Sequence, residues 1–149
     1  MSADHPHPTP EQAREQLAAI RTRPLPAAGD HRIHAIATAV LGLNIAFYFA
    51  ADNIASGAVH VVLSCLFFAV CLAETIWVER SARTVPRRAK LWSRLGIGVS
   101  LVLTLFLVLP WLNLQARNEP NTWWMVLLGT VVAAAPSLVA AGVIARGRK

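Results

Sequence analysis

Between Ile33 and Ala51 the chain reads IHAIATAVLGLNIAFYFAA, without one Lys, Arg, Asp or Glu. Three more such stretches follow. One runs from Ile54 to Val78 and is broken only by Glu74; the others run from Leu95 to Ala116 and from Thr122 to Ala145. Each is near or above the roughly 20 residues that a helix needs to cross ~30 Å of hydrocarbon. A core helix of a soluble protein is rarely this long and this apolar around its circumference. They predict an all-α membrane protein of four transmembrane helices, arranged as two antiparallel hairpins. The spans are expected at about 33–51, 54–78, 95–116 and 122–145, within a membrane domain of residues 31–149. Composition agrees: 15% of residues are charged, against about a quarter in a soluble domain.

The charges that remain are sorted by segment. Arg14, Arg21, Arg23 and Arg32 precede the first span. Arg80, Arg83, Arg87, Arg88, Lys90 and Arg94 lie between the second and third, and Arg146, Arg148 and Lys149 follow the fourth. Of 14 cations, Arg117 alone falls in the alternate loops. Cationic loops stay on the cytoplasmic side, which places both termini and the middle loop there. Trp77 and Trp92 fall near one boundary, and Trp111, Trp123 and Trp124 near the other, as interfacial aromatic rings do. The expected location is the cell (inner) membrane, multi-pass. No apolar leader precedes Ile33, so the first span is expected to act as its own insertion signal. The basic run RTVPRRAK has no interleaved aromatic rings for stacking on bases, so no nucleic-acid partner is expected. Instead Arg83, Arg87, Arg88 and Lys90 are candidate contacts to anionic lipid headgroups.

Residues 1–8 are expected to be disordered, and residues 9–30 to form a short cytoplasmic amphipathic helix and a linker. Thr9 can cap that helix, Pro10 suits its first position, and Gln12 completes a capping box. Ala13, Leu17 and Ile20 share a face, and Pro24 and Pro26 end the pattern. His5 and His7 lack further ligands for a metal.

Glu74 is the carboxylate that a second span should not tolerate without cause. It sits about one turn inside the cytoplasmic boundary, where a charge costs less than the ~3 kcal/mol at a helix midpoint. At 100° per residue, Asn53, His60, Ser64, Cys71 and Glu74 share one stripe, expected to face the bundle because lipid offers polar groups no partner. A tight turn around Asp52 brings Asn44 level with His60, predicting a hydrogen bond between them. It also brings Glu74 near Arg32 and His34, with Arg94 of the third span as a further ion-pair candidate. Two readings of Glu74 stay open: a register-fixing ion pair, or a coupling carboxylate of a transporter.

The third and fourth spans carry matching ladders of small residues, Gly96, Ser100 and Thr104 against Gly129, Ala133, Ser137 and Ala141. Close backbone approach holds membrane helices together. A loop centred near Asn118 pairs Gly96 with Ala141, Ser100 with Ser137, and Thr104 with Ala133. Pro136 should free a carbonyl near Val132, to which Ser100 or Thr104 can donate.

Other chemistry is not signalled. Cys65 and Cys71 lie about 120° apart on one helix and cannot bridge. No residue set reads as a metal, haem or cofactor site, and no nucleophile–base pair or phosphate loop is present. Small multidrug resistance exporters place their carboxylate in the first span, unlike Glu74. With PEQAREQL over Pro10–Leu17 ahead of four spans, the layout resembles uncharacterised small four-span integral membrane proteins of actinobacteria. That resemblance implies architecture and compartment, not an activity. The function expected is a non-enzymatic integral membrane protein binding a protein or lipid partner, a second copy of itself included. The alternative is a small transporter or exporter subunit using Glu74 and the polar stripe.

Overall fold

The computed structural model describes residues 9–22, 28–82 and 84–146. His5, His7, the expected disorder over residues 1–8, the helix stop at Pro24 and Pro26, and Arg83 lie outside them, as does the side chain of Ile20. The described chain is helical throughout its regular elements: α1 (Pro10–Thr22), α2 (Ala28–Asp52), α3 (Ala58–Ser81), α4 (Arg87–Leu103), α5 (Leu109–Gln115) and α6 (Trp123–Arg146). A wide π-helical turn, Thr104–Val108, joins α4 to α5 into one continuous span. Four helices are thus long and apolar enough to cross a membrane: Gly29–Asp52, Ala58–Ser81, Arg87–Gln115 and Trp123–Arg146.

Local signals set several of the ends. Thr9 and Gln12 close a reciprocal capping box: the Gln12 N–H donates to Thr9 Oγ1 at 3.3 Å, and the Thr9 N–H to Gln12 Oε1 at 3.0 Å. Gly57, with φ of 54°, turns the chain into α3 from a left-handed conformation that suits glycine. Pro86 precedes α4, and its carbonyl accepts the Lys90 N–H at 3.0 Å. The third apolar helix, α4, therefore starts at Arg87, eight residues ahead of its apolar run. Arg87, Arg88, Lys90 and Arg94 lie on helix rather than in a loop, because Lys and Arg are good helix formers and hydropathy marks only the lipid-facing part.

The bundle is organised around α6. It packs most widely on α2 and next on α4. The contact is made of small residues. Ala46, Ala50, Ala51, Ala133 and Ala134 are buried with Val108, Leu112 and Val126 at one end, and Ala35, Ala89, Ala141 and Ile144 at the other. Between them a Cβ on Gly42 would collide with Ser137, and one on Gly96 with Ala140. A Cβ on Gly129 would come within 2.7 Å of Val108. α3 stands apart: it packs on α2, and none of its residues is buried.

Of the expected rungs between the third and fourth spans, Ser100 does meet Ser137, whereas Gly96 lies against Ala140 rather than Ala141. The Ser137 N–H donates to Ser100 Oγ at 3.1 Å, in buried surroundings. The hydrogen bonding around Pro136 differs from expectation. Ser100 Oγ accepts rather than donates, and Thr104 Oγ1 returns to its own helix, on Ser100 O at 2.7 Å. A threonine hydroxyl can reach the carbonyl four residues back without help from another helix, and that local partner wins.

Candidate functional site

Polar groups in an apolar span must find partners inside the protein. Most here do so locally. Thr38, Ser64 and Thr75 each donate to the carbonyl four residues back, and Asn53 does the same with its amide. His60 Nδ1 meets Asp52 Oδ1 at 2.7 Å across the turn. Tyr48 and Ser64 share a hydroxyl hydrogen bond of 3.2 Å, and Asn44 Nδ2 donates to Phe67 O at 3.2 Å and to Cys71 Sγ at 3.4 Å.

These contacts correct the expected register between α2 and α3. Asn44 does not bond His60. Its partner Phe67, like Ser64 opposite Tyr48, lies seven to eight residues further along α3 than a turn around Asp52 would place it, about two helical turns. The cause is the connection. Residues 53–57 are not α-helical, although Ile54 opens the apolar run, and α3 starts only at Ala58. Every level in α3 shifts accordingly.

Glu74 is therefore level with Ala37 and Thr38 rather than with residues 30–34. It lines a cleft of about 310 Å³ between α2, α3 and α4, together with His34, Thr38, Cys71, Glu79 and Ser93. It also lines a second, apolar groove of about 390 Å³ on the other side of the α2–α3 contact, with Ile36, Val40, Val70, Ala73 and Trp77. Glu74 Oε2 is shut off from solvent and has no hydrogen-bond partner among the described residues. The expected ion pair is not made. Arg32 and Arg94 are exposed, and His34 shares the cleft but places Nε2 3.2 Å from Thr84 O. The two-turn shift carries Glu74 away from the level of Arg32 near the start of α2; it does not bear on Arg94, which lies on α4.

Arg87, Arg88 and Lys90 are exposed at the start of α4, around buried Ala89. Gly96, Ser100, Thr104, Gly129, Ala133, Ser137 and Ala141 are all buried in the bundle.

Two important residues gave no sequence signal. Asp30 is 2% exposed. Its Oδ2 accepts the Thr84 N–H at 3.1 Å and the Thr84 hydroxyl at 2.6 Å. With His34, this fastens the loop between the second and third spans onto the first turns of α2. An Asp early in a helix would have suggested only favourable placement near the helix dipole. Its partner lies 54 residues away, beyond any local pattern.

No protein-family model matches the sequence, and neither a curated protein nor a solved structure is similar to it. A functional reading rests on this geometry.

Proposed function

We propose that this is a non-enzymatic integral membrane protein that binds another membrane protein through the α2–α3 face around Glu74. In this reading the four spans form two antiparallel hairpins in the cell membrane, with both termini and the 82–86 connection on the cytoplasmic side. The observation that carries it is Glu74 Oε2, buried and unpartnered, at the junction of a polar cleft and an apolar groove. A buried carboxylate without donors is costly, and a partner that brings a cationic or N–H group on an apolar surface removes that cost. α3 is the span with room for it, since it leans on α2 and buries none of its own residues.

A transporter reading draws on the same open cleft, but a continuous polar path is interrupted. Tyr48 and Phe67 stack with ring centroids 4.5 Å apart. On α3, Phe67 stands in the chain between Ser64 and Cys71 and puts an apolar ring into the stripe.

The test is a photo-reactive residue at Ala73, in the apolar groove, activated in native membranes. A discrete protein adduct that weakens several-fold in Glu74→Gln supports the reading. Adducts to lipid alone, or a protein adduct indifferent to Glu74→Gln, refute it.

A further inference from the structure

We infer that the corner between α2, α4 and α6 is a binding site for one anionic glycerophospholipid. Its phosphate lies on Arg88 and His31, and one acyl chain runs along the groove that starts at Trp92. This rests on the four-span reading and not on the Glu74 cleft.

Two cavities meet at Trp92. The first, about 360 Å³, is lined by His31 of α2, Arg88, Ala89 and Trp92 of α4, and Val143 and Ile144 of α6. The second, about 410 Å³, continues down the α4–α6 seam. Its walls are Leu95, Val99 and Val139, over a floor of Gly96, Pro136 and Ala140. The floor is low because the two backbones approach closely at Gly96, where even a Cβ would strike Ala140. Small residues that let helices touch also leave a furrow between the larger side chains beside them.

Length and charge select the occupant. From Arg88 to Val99 the helix rises roughly 16 Å, close to one leaflet, or half of the ~30 Å hydrocarbon core. A headgroup at Arg88 thus leaves one chain the length of the furrow. Arg88 has no carboxylate within 4 Å among the described residues, so its charge is unspent. The guanidinium presents forked donors that match a phosphate, and a basic pocket between membrane helices suits an anionic headgroup. Trp92 stands between the two regions, where an amphipathic ring belongs. The same two spans carry a smaller apolar groove, about 230 Å³, at their other end, lined by Leu107, Val108, Trp111, Leu128, Gly129 and Val132. It has no cation, so it has no basis for choosing among headgroups.

The experiment is native mass spectrometry of the full chain in detergent, titrated with phosphatidylglycerol, phosphatidylcholine or glycerol phosphate. One phosphatidylglycerol is expected to bind before any phosphatidylcholine, and glycerol phosphate, which lacks chains, not to bind. Arg88→Gln should weaken the first adduct about tenfold, as loss of hydrogen bonds to a charged group does. Arg87→Gln and Lys90→Gln remove the same charge from outside the cavity and should weaken it about twofold at most, because distant exposed charges are screened. Val139→Trp, at an exposed position, should block the furrow with all charges kept. Equal losses for the three cation variants would reduce the effect to surface charge and overturn the site. Equal binding of phosphatidylcholine, or full binding in Val139→Trp, would also overturn it.

Discussion

The backbone N–H of Ser137 donates to the hydroxyl of Ser100 at 3.1 Å, at the centre of the contact between α4 and α6. Ser137 Oγ turns the other way, donating to Ala134 O at 2.7 Å and filling the space beside Gly42 of α2. Three helices thus meet at one serine. Gly42→Ala places a methyl group where that hydroxyl lies. It should cost about 1–3 kcal/mol, the usual range for overpacking. Ser100→Ala should cost less, about 0.6 kcal/mol, as interhelical hydrogen bonds in membranes do. Thermal unfolding in detergent checks the order. A Gly42→Ala protein as stable as the wild type would show that the helices separate freely here.

Ser100→Leu and Ala133→Leu test the same seam from its two sides. Both positions are buried, Ser100 at 1% exposure and Ala133 at 0%. Each should lower the unfolding temperature well beyond Val139→Ala, which trims an exposed side chain. The seam was legible in the sequence because its small residues repeat every four positions, and a contact between adjacent spans needs only the centre of one loop to set its register. The first hairpin was not legible in that way. Ile54 looks like part of the span by hydropathy, yet the chain turns until Gly57. Hydropathy reports which residues avoid water, not which are helical. A shift of two turns was enough to part His60 from Asn44 and Arg32 from Glu74.

The Asp30–Thr84 clasp sets the position of the connection between the second and third spans. Thr84→Val removes the 2.6 Å hydroxyl bond and leaves the backbone bond. A hydrogen bond to a charged group contributes about 1.5–3 kcal/mol, so the loss should fall in or below that range. Asp30→Ala removes both and should exceed it. Limited proteolysis reads the effect locally, with faster cleavage within residues 82–86 in each variant. Unchanged cleavage in Asp30→Ala would mean that the loop is held by other contacts.

Glu74 gives opposite signs for its possible roles. An ion-paired carboxylate loses stability when changed to Gln. An unpartnered one gains, since a neutral amide is cheaper to bury. For the purified protein without a partner, Glu74→Gln should raise stability by roughly 1 kcal/mol, as the half-buried site implies only part of a full desolvation penalty. A fall in unfolding temperature would reveal a cationic partner.

The charge split predicts a topology. Reporter fusions after Arg83 and Arg146 should read cytoplasmic, and fusions near Asp52 and Asn118 the opposite. Replacing Arg87, Arg88 and Lys90 together by Gln should produce a mixed population, because those cations supply half of the middle segment's signal. A cytoplasmic reading near Asn118 would rule out the four-span arrangement.

The π turn explains how the third span keeps one face on its neighbours for its whole length, and it carries the sharpest test. Its buried residues Gly96, Ser100, Thr104, Val108 and Leu112 recur every four positions. On a straight α-helix each such step rotates about 40°, so the stripe would turn roughly 160° from end to end. Leu112 would then face away from the core it shares with Ala46, Ala50 and Val126. Within the turn the Leu109 N–H reaches Thr104 O, five residues back. One extra residue in that turn takes back about 100° of the rotation. It also widens the helix just ahead of Pro110, which has no N–H and would crowd a regular turn. Deleting Phe106, an exposed member of the turn at 77%, should let the segment close into ordinary α-helix while Val108 and Leu112 keep their faces. The cost should be on the order of 1 kcal/mol, since no buried side chain is lost. Deleting Val131 is the contrast. It is exposed too, but α6 has no wide turn to absorb the change, and half of its buried face would rotate by about 100°. That variant should fail to fold or lose several kcal/mol. Thermal unfolding and a cysteine cross-link at positions 100 and 137 distinguish the two. Equal damage from both deletions would show that the π turn does not set the register.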